Sequence, residues 1–430
     1  MRTAARLFAL ALVLALVYKY TAGAPAELRA ALALGVLVVA AELVGRLALR
    51  VGLPRVSGFV AAGLLLRANW SVNRVDELET LQFVADAALG LFALRAGLAW
   101  RSDGTGATAG LGRYLASSLV LPFALTAAVV YALHPWFPLT VHQPSRDALA
   151  VALVLGAFTA VAAPALAWVT LTDGPAGPLG EVLLRLHALR DIGAVLLFAA
   201  ALALARPLAS AGALQPLAFA PPLAALGAAA LAGVLLATLA GRFRRLLGSD
   251  PGIFTLALAF GAALAARAGP AEVTLAALVA GIGLSRFDAE TATLLRARFD
   301  VHAAALAAGA FALFGARLDP SVLLEIWPWV VALALLRAAG LYWGGRLAVR
   351  GGELLGTDDL VRSGWLGLIG QAGVGLLLAA AGRRAFPEWG VSFEGLAVAL
   401  VALHAVVGPI CLRRALARRP ALTEGVTGGT

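Results

Sequence analysis

Apolar runs of membrane-spanning length, parted only by short stretches containing Gly, Pro and Arg, fill this chain almost end to end. They cover roughly 4–20, 28–50, 54–68, 78–99, 111–134, 147–171, 179–205, 212–240, 250–268, 271–286, 296–316, 321–347, 357–382 and 392–414. A helix needs about 20 apolar residues to cross a bilayer. The chain is 61% hydrophobic and only 13% charged, too apolar for one aqueous core. The expectation is an all-α polytopic membrane protein. No gap between the runs holds a soluble domain, and one cysteine, Cys411, excludes a disulfide scaffold.

The net charge of +10 does not point to nucleic acid, because the basic residues are scattered between apolar runs. They anchor loops instead. Starting outside at Ala24, alternation puts Arg46, Arg50, Arg55, Arg242, Arg244, Arg245, Arg413 and Arg414 inside, with a thinner outside set such as Arg74, Arg146 and Arg206. This obeys the positive-inside rule and places the C-terminus in the cytoplasm. Residues 1–24 read as a signal peptide or an extra helix, with Arg2 and Arg6 before the apolar run and Thr21-Ala22-Gly23-Ala24 as a cleavage-like stretch. Residues 25–416 form the transmembrane domain and 417–430 a short tail.

An ionisable side chain within a membrane helix costs about 2.5–3.5 kcal/mol on insertion scales, so each one is a functional candidate. Asp86, His187, Arg190, Asp191 and Arg337 qualify. Glu42 and Arg46 read as a local i,i+4 ion pair, and Arg95 as a side chain snorkelling to the inner face. The sharpest cluster is His187-Ala-Leu-Arg190-Asp191, in which His187 and Asp191 share a helix face. Burial disfavours a carboxylate and a neighbouring guanidinium favours it. A balance between the two makes a group that exchanges a proton for a cation; the alternative is a buried ion pair that pins helices.

Two segments carry break signals. Pro164 in 147–171 frees the carbonyl of Ala160, with Thr159 close by. Gly364, Gly367, Gly370, Gly373 and Gly375 surround Gln371 in 357–382, which permits an unwound stretch or very close packing. Broken membrane helices of this kind form ion sites in secondary transporters.

These pieces, in this order, resemble the membrane domain of the monovalent cation:proton antiporter superfamily, the sodium/hydrogen exchanger type. The resemblance rests on Leu53-Pro54-Arg55-Val56-Ser57-Gly58 with Ala62-Gly63, on Leu91-Phe92-Ala93-Leu94-Arg95-Ala96-Gly97, and on Pro164 and Arg190-Asp191. It continues through Leu275–Gly281, Gly315–Asp319, Gly370-Gln371-Ala372-Gly373 and Val407-Gly408-Pro409.

The resemblance implies about 13 membrane helices in inverted repeats, with two crossing broken helices beside an essential aspartate. Asp191 matches that cation- and proton-binding aspartate. Arg337 falls where many members carry a lysine paired with it. Arg190, Thr159, Gln371 and His187 would line the site, and Pro164, Gly370 and Gly373 would shape the breaks. The implied protein is a homodimeric antiporter of a bacterial inner membrane, exchanging Na+ or K+ for protons without a cofactor or a resident metal.

Arg190 departs from the family, which carries Asp or Asn there; Ala162, Val374 and Ala99 replace further polar positions. The alternatives are a transport-inactive member serving as a scaffold or regulatory partner, and an anion transporter on the same fold. No enzyme motif is present, neither HExxH nor a phosphate-binding glycine loop.

Overall fold

The computed structural model describes residues 25–69, 81–98, 108–172, 177–209, 220–247, 270–316, 320–349, 358–386 and 388–417, with isolated positions before residue 25. The expected segments 4–20 (largely) and 250–268 lie outside the described residues, as does the side chain of Asp86. The described residues form fourteen helices. They are α1 (Ala26–Arg50), α2 (Arg55–Asn69), α3 (Gln82–Leu98), α4 (Thr108–Ala132), α5 (Ser145–Thr159), α6 (Pro164–Thr172) and α7 (Gly177–Ala209). Then follow α8 (Ala220–Leu247), α9 (Pro270–Phe287), α10 (Ala289–Ala316), α11 (Pro320–Val349), α12 (Asp358–Gly367), α13 (Gly373–Ala385) and α14 (Gly390–Ala417).

Five described stretches are long and apolar enough to cross a membrane: Leu28–Arg50, Gly110–Ala132, Leu179–Ala209, Ile326–Ala348 and Gly390–Ala417. A sixth arises if the two parts of α10, bent by 66°, act as one span. The chain is an all-helical membrane protein. This count covers the described residues alone; among them the other apolar helices are shorter, and two of the expected segments are each divided in two.

Close packing by glycine organises the bundle. A Cβ on Gly63 of α2 would strike the Ala312 carbonyl of α10, and one on Gly315 of α10 would strike the Val60 carbonyl of α2. Gly97 of α3 and Gly281 of α9 make the same reciprocal arrangement, meeting the Leu278 and Leu94 carbonyls. Lipid gives helices no hydrophobic reason to associate, so backbone approach through small residues supplies the contact. Gly52 has a different task. It turns the chain from α1 into α2 at a φ of 80°, where a side chain would be strained.

The breaks fall where the sequence signals stood. Segment 147–171 splits into α5 and α6 around residues 160–163, with Pro164 the first residue of α6. Segment 357–382 splits into α12 and α13 around residues 368–372, with Gly370 inside the break and Gly373 opening α13. Each break exposes backbone groups that a continuous helix would satisfy, and in a membrane these survive only with protein or water partners.

Candidate functional site

Two side chains of α7 cap the first half-helix that follows a break. The Ala162 N–H donates to Asp191 Oδ1 at 3.3 Å, and the Ala163 N–H donates to His187 Nδ1 at 3.2 Å. One helical turn apart, these two residues meet the N-terminal end of α6 together. A helix N-terminus carries partial positive charge, so a carboxylate is favoured there. The other ring nitrogen of His187, Nε2, lies 2.9 Å from the Gly367 carbonyl at the end of α12. A carbonyl only accepts, so Nε2 bears the hydrogen while Nδ1 accepts from Ala163. The imidazole therefore ties one break to the other in a single tautomer.

The two arginines meet the opposite ends. Arg190 Nη2 donates to the Ser118 carbonyl at 3.2 Å and to the Ala160 carbonyl at 3.1 Å; its Nη1 donates to Leu368 O at 3.3 Å. Ser118 stands four residues before Pro122 in α4, and Ala160 four before Pro164. Proline has no N–H, so both carbonyls lack their helical donor. Arg190 supplies it in each case.

Arg337 of α11 donates through Nη1 to Thr159 O, through Nη2 to Leu368 O at 3.1 Å and Gly370 O at 3.5 Å, and through Nε to Ile369 O at 3.3 Å. These carbonyls belong to the C-terminal ends of α5 and α12 and the breaks that follow, where partial negative charge gathers. Both guanidiniums are wholly buried, at 0% exposure.

Among the described residues neither arginine forms an ion pair with Asp191. The pairing that the resemblance implied for Arg337 is thus not made, because the carbonyls of the two breaks use its donors. Glu42 and Arg46 do pair, at 2.6 Å. Arg95, expected to snorkel, lies over the Trp168 ring of α6 at 5.2 Å.

Thr159 contributes its carbonyl to the site, while its hydroxyl turns away, 2.7 Å from Gly156 O and 3.2 Å from both Pro122 O and Thr126 Oγ1. Gln371 finds two partners. Its Nε2 donates to Phe158 O at 3.1 Å, and its Oε1 accepts from His404 Nδ1 at 2.7 Å. His404 was missed from the sequence, although an imidazole within 392–414 was the same kind of signal as His187. Ser118 carried no polar signal of its own, since only its carbonyl takes part.

Two buried side-chain atoms of the site remain without a partner, Arg190 Nε and Asp191 Oδ2. Asp191 Oδ2 is the only buried side-chain oxygen among the described residues that lacks a hydrogen-bond partner. It belongs to a carboxylate anchored by its other oxygen, beside two interrupted helices and within electrostatic reach of Arg190 and Arg337. A buried charged oxygen left free is costly unless a ligand takes it, and a proton or a monovalent cation is the chemistry that fits.

A helical membrane protein with two interrupted helices joined around one buried carboxylate has the form of a secondary transporter. The profile of the family described as "Sodium/hydrogen exchanger, transmembrane" matches residues 34–417, and the chain belongs to that family. It is a membrane cation/proton antiporter by family and not an enzyme.

Among solved structures, the chain is similar to the sodium proton antiporter MjNhaP1 from Methanocaldococcus jannaschii at pH 8, with 16% identity and a TM-score of 0.63 over 91% of this chain and 97% of that one. An electron-microscopy structure of the same antiporter gives 17% identity and a TM-score of 0.64 over 90% and 97%. At such identity the likeness speaks for the fold. No curated protein matches the chain in sequence.

Proposed function

We propose that the protein exchanges a monovalent cation, Na+ or K+, for a proton by alternating access around Asp191. The observation that carries this reading is the unpartnered Asp191 Oδ2, held at the N-terminal end of α6. Proton and cation compete for that oxygen. The occupied forms cross the barrier and the bare anion is held back by its cost in the membrane. Exchange is electroneutral in this reading, because Asp191 is the one carboxylate at the site among the described residues and arginine does not release its proton. His187 serves as a latch between the breaks rather than a relay, since both of its nitrogens are engaged.

The wider reading is a fold of about 13 membrane helices in inverted repeats whose broken helices cross, working as a homodimer in a bacterial inner membrane with its C-terminus in the cytoplasm. An anion as cargo is disfavoured, because backbone carbonyls already engage Arg337 through Nε and both Nη nitrogens and Arg190 through both Nη nitrogens, leaving only Arg190 Nε unpartnered. One observation favours a second reading. The arginines bind carbonyls of both breaks at once, a clamp that also suits a transport-inactive scaffold.

The deciding experiment is proton flux in proteoliposomes under an imposed pH gradient, with Na+, K+ or Li+ added in turn. Cation-triggered flux is expected, falling about 100-fold or more in Asp191→Asn, which removes the charge and keeps the Oδ1 contact to Ala162. Lowering the pH should raise the half-maximal cation concentration, since protonation of Asp191 removes the ligand. Silence with every ion across pH 6–9, from folded protein, moves the assignment to the scaffold.

A further inference from the structure

We infer that Gln371 and His404 are positioning residues: they occupy the Phe158 carbonyl, which turns the Ala162 N–H from its own helix toward Asp191. The consequence for exchange rests on the reading above. In a continuous helix the Ala162 N–H would donate to the Phe158 carbonyl, four residues back. That carbonyl already accepts from the Val161 N–H at 3.2 Å and from Gln371 Nε2 at 3.1 Å. A carbonyl oxygen has two lone pairs, so both are engaged. The Ala162 N–H goes to Asp191 Oδ1 instead.

Gln371 is itself held in one orientation. The Phe158 carbonyl only accepts, so the amide turns Nε2 toward it and Oε1 away. Oε1 then needs a donor, and His404 Nδ1 supplies it at 2.7 Å. Gln371 is 0% exposed and His404 2%, so bulk water does not compete for either bond. The packing of α14 puts the imidazole there. Gly408, one turn after His404 on the same face, lies against the second break, where a Cβ would stand 2.5 Å from Gly370 Cα. The hydrogen bonds thus run from α14 through the second break to the residue whose helical partner Asp191 has taken.

An N–H donated to a carboxylate favours its charged form. Without Gln371, one lone pair of the Phe158 carbonyl opens and the Ala162 N–H can close the helical bond. Asp191 then loses its donor, and a proton competes better for it. Among the described residues, the titratable and charged groups around Asp191 are His187 and Arg190 on α7 and Arg337 on α11. Tyr114 on α4 acts by way of Arg190, and His404 on α14 by way of Arg337. Gln371→Met leaves every one of them in place, so a change in that variant reports the hydrogen bond and not a lost charge.

The test is an infrared pH titration of the full chain in lipid, with the Asp191 carboxyl band assigned by subtraction of Asp191→Asn. In Gln371→Met the midpoint of that band is expected about half to one pH unit above wild type, roughly a three- to tenfold gain for the proton. An unmoved midpoint in folded Q371M overturns the inference. His404→Leu strands Gln371 Oε1 and should move the midpoint the same way by less. His404→Gln removes the same titratable group but keeps an N–H donor, and should return the midpoint to wild type; equal shifts in H404L and H404Q also overturn the inference. If Q371M does not fold, H404L decides, and an unmoved midpoint there overturns it. The acid-side midpoint of cation-triggered flux should follow the infrared shift. Absence of flux in the wild type is a different result, because it removes the exchange reading and leaves the positioning to be decided by the infrared titration.

Discussion

At the first break, between α5 and α6, a proline removes a hydrogen-bond donor, and charged or titratable side chains answer from a neighbouring helix: Asp191 and His187 on the N-terminal side, Arg190 on the carbonyl side. At the second, between α12 and α13, glycines unwind the chain and the answer comes mostly from the guanidiniums on the carbonyls of Leu368, Ile369 and Gly370, with His187 on Gly367, while Gln371 of the break reaches across to the Phe158 carbonyl of α5 and to His404. Both C-terminal ends are met by guanidinium, so that part of the design is shared. Among the described residues, only the first N-terminal end holds a carboxylate. Under the proposed exchange reading, the chemistry falls at the proline break and the glycine break is its counterweight.

The largest expected effect comes from removing what the two breaks share. Arg337→Met leaves carbonyls of both breaks without a donor, including Thr159 O and Ile369 O. Removing one partner from a buried charged network typically costs about 3–5 kcal/mol. Thermal unfolding in detergent should show a loss of that size, with Asp191→Asn far smaller by the same assay. Equal losses in the two variants would mean that Arg337 does not bridge the breaks and that the comparison is misdrawn.

A smaller effect isolates the first break. Arg190 holds the Ser118 carbonyl because Pro122 cannot, so restoring an N–H at position 122 should lessen the need for Arg190. In a double-mutant cycle of Arg190→Met and Pro122→Ala, the pair is expected to couple by about 1–2 kcal/mol, the double variant being more stable than the sum of the singles requires. Pro122 also packs against Gly340 of α11, where a Cβ would lie 2.5 Å from the Pro122 Cα. The two nearest atoms there are backbone and the ring Cγ follows at 3.1 Å, so alanine keeps the backbone approach and gives up only the ring contact. Additive losses would break the link between the two residues.

The helices were legible because their signal is local. A run of apolar residues marks a span wherever it falls, and α1, α2, α7 and α14 lie within a few residues of 28–50, 54–68, 179–205 and 392–414. Pro164 marked its break for the same reason, since the missing N–H is a property of the residue itself. The targets of Arg190 and Arg337 were not legible. They are backbone carbonyls on other helices, and no residue type announces a carbonyl. Sequence spacing put Arg190 next to Asp191 and suggested an ion pair; the structure sends the guanidinium to Ser118, Ala160 and Leu368 instead. His404 could have been seen, as a polar residue within an apolar run. Its pairing with Gln371, itself noted in the sequence, could not, because the two are joined only by how α14 packs beside the glycine break.

The smallest expected effect asks how firmly the first break is tied to α4. Three links are present: the Arg190 bond to Ser118 O, and the approach of the Thr159 hydroxyl to Pro122 O and to the Thr126 hydroxyl, both at 3.2 Å. The hydroxyl hydrogen of Thr159 already has a better acceptor in Gly156 O at 2.7 Å, so Thr126 contributes little there. Thr126→Val keeps the shape and removes only its hydroxyl. Its expected cost is below about 1 kcal/mol, the net value of an ordinary hydrogen bond, with cation-triggered flux unchanged. The half-helix α12 before the second break has its own hydroxyl tie to α4, from Tyr114 to the Leu360 carbonyl at 3.4 Å, so a small effect leaves the arginines as the connection that both breaks depend on. A stability loss as large as that of Arg190→Met would instead make the threonine pair the anchor of the first break, and the two breaks would then differ in how they are held as well as in what they bind.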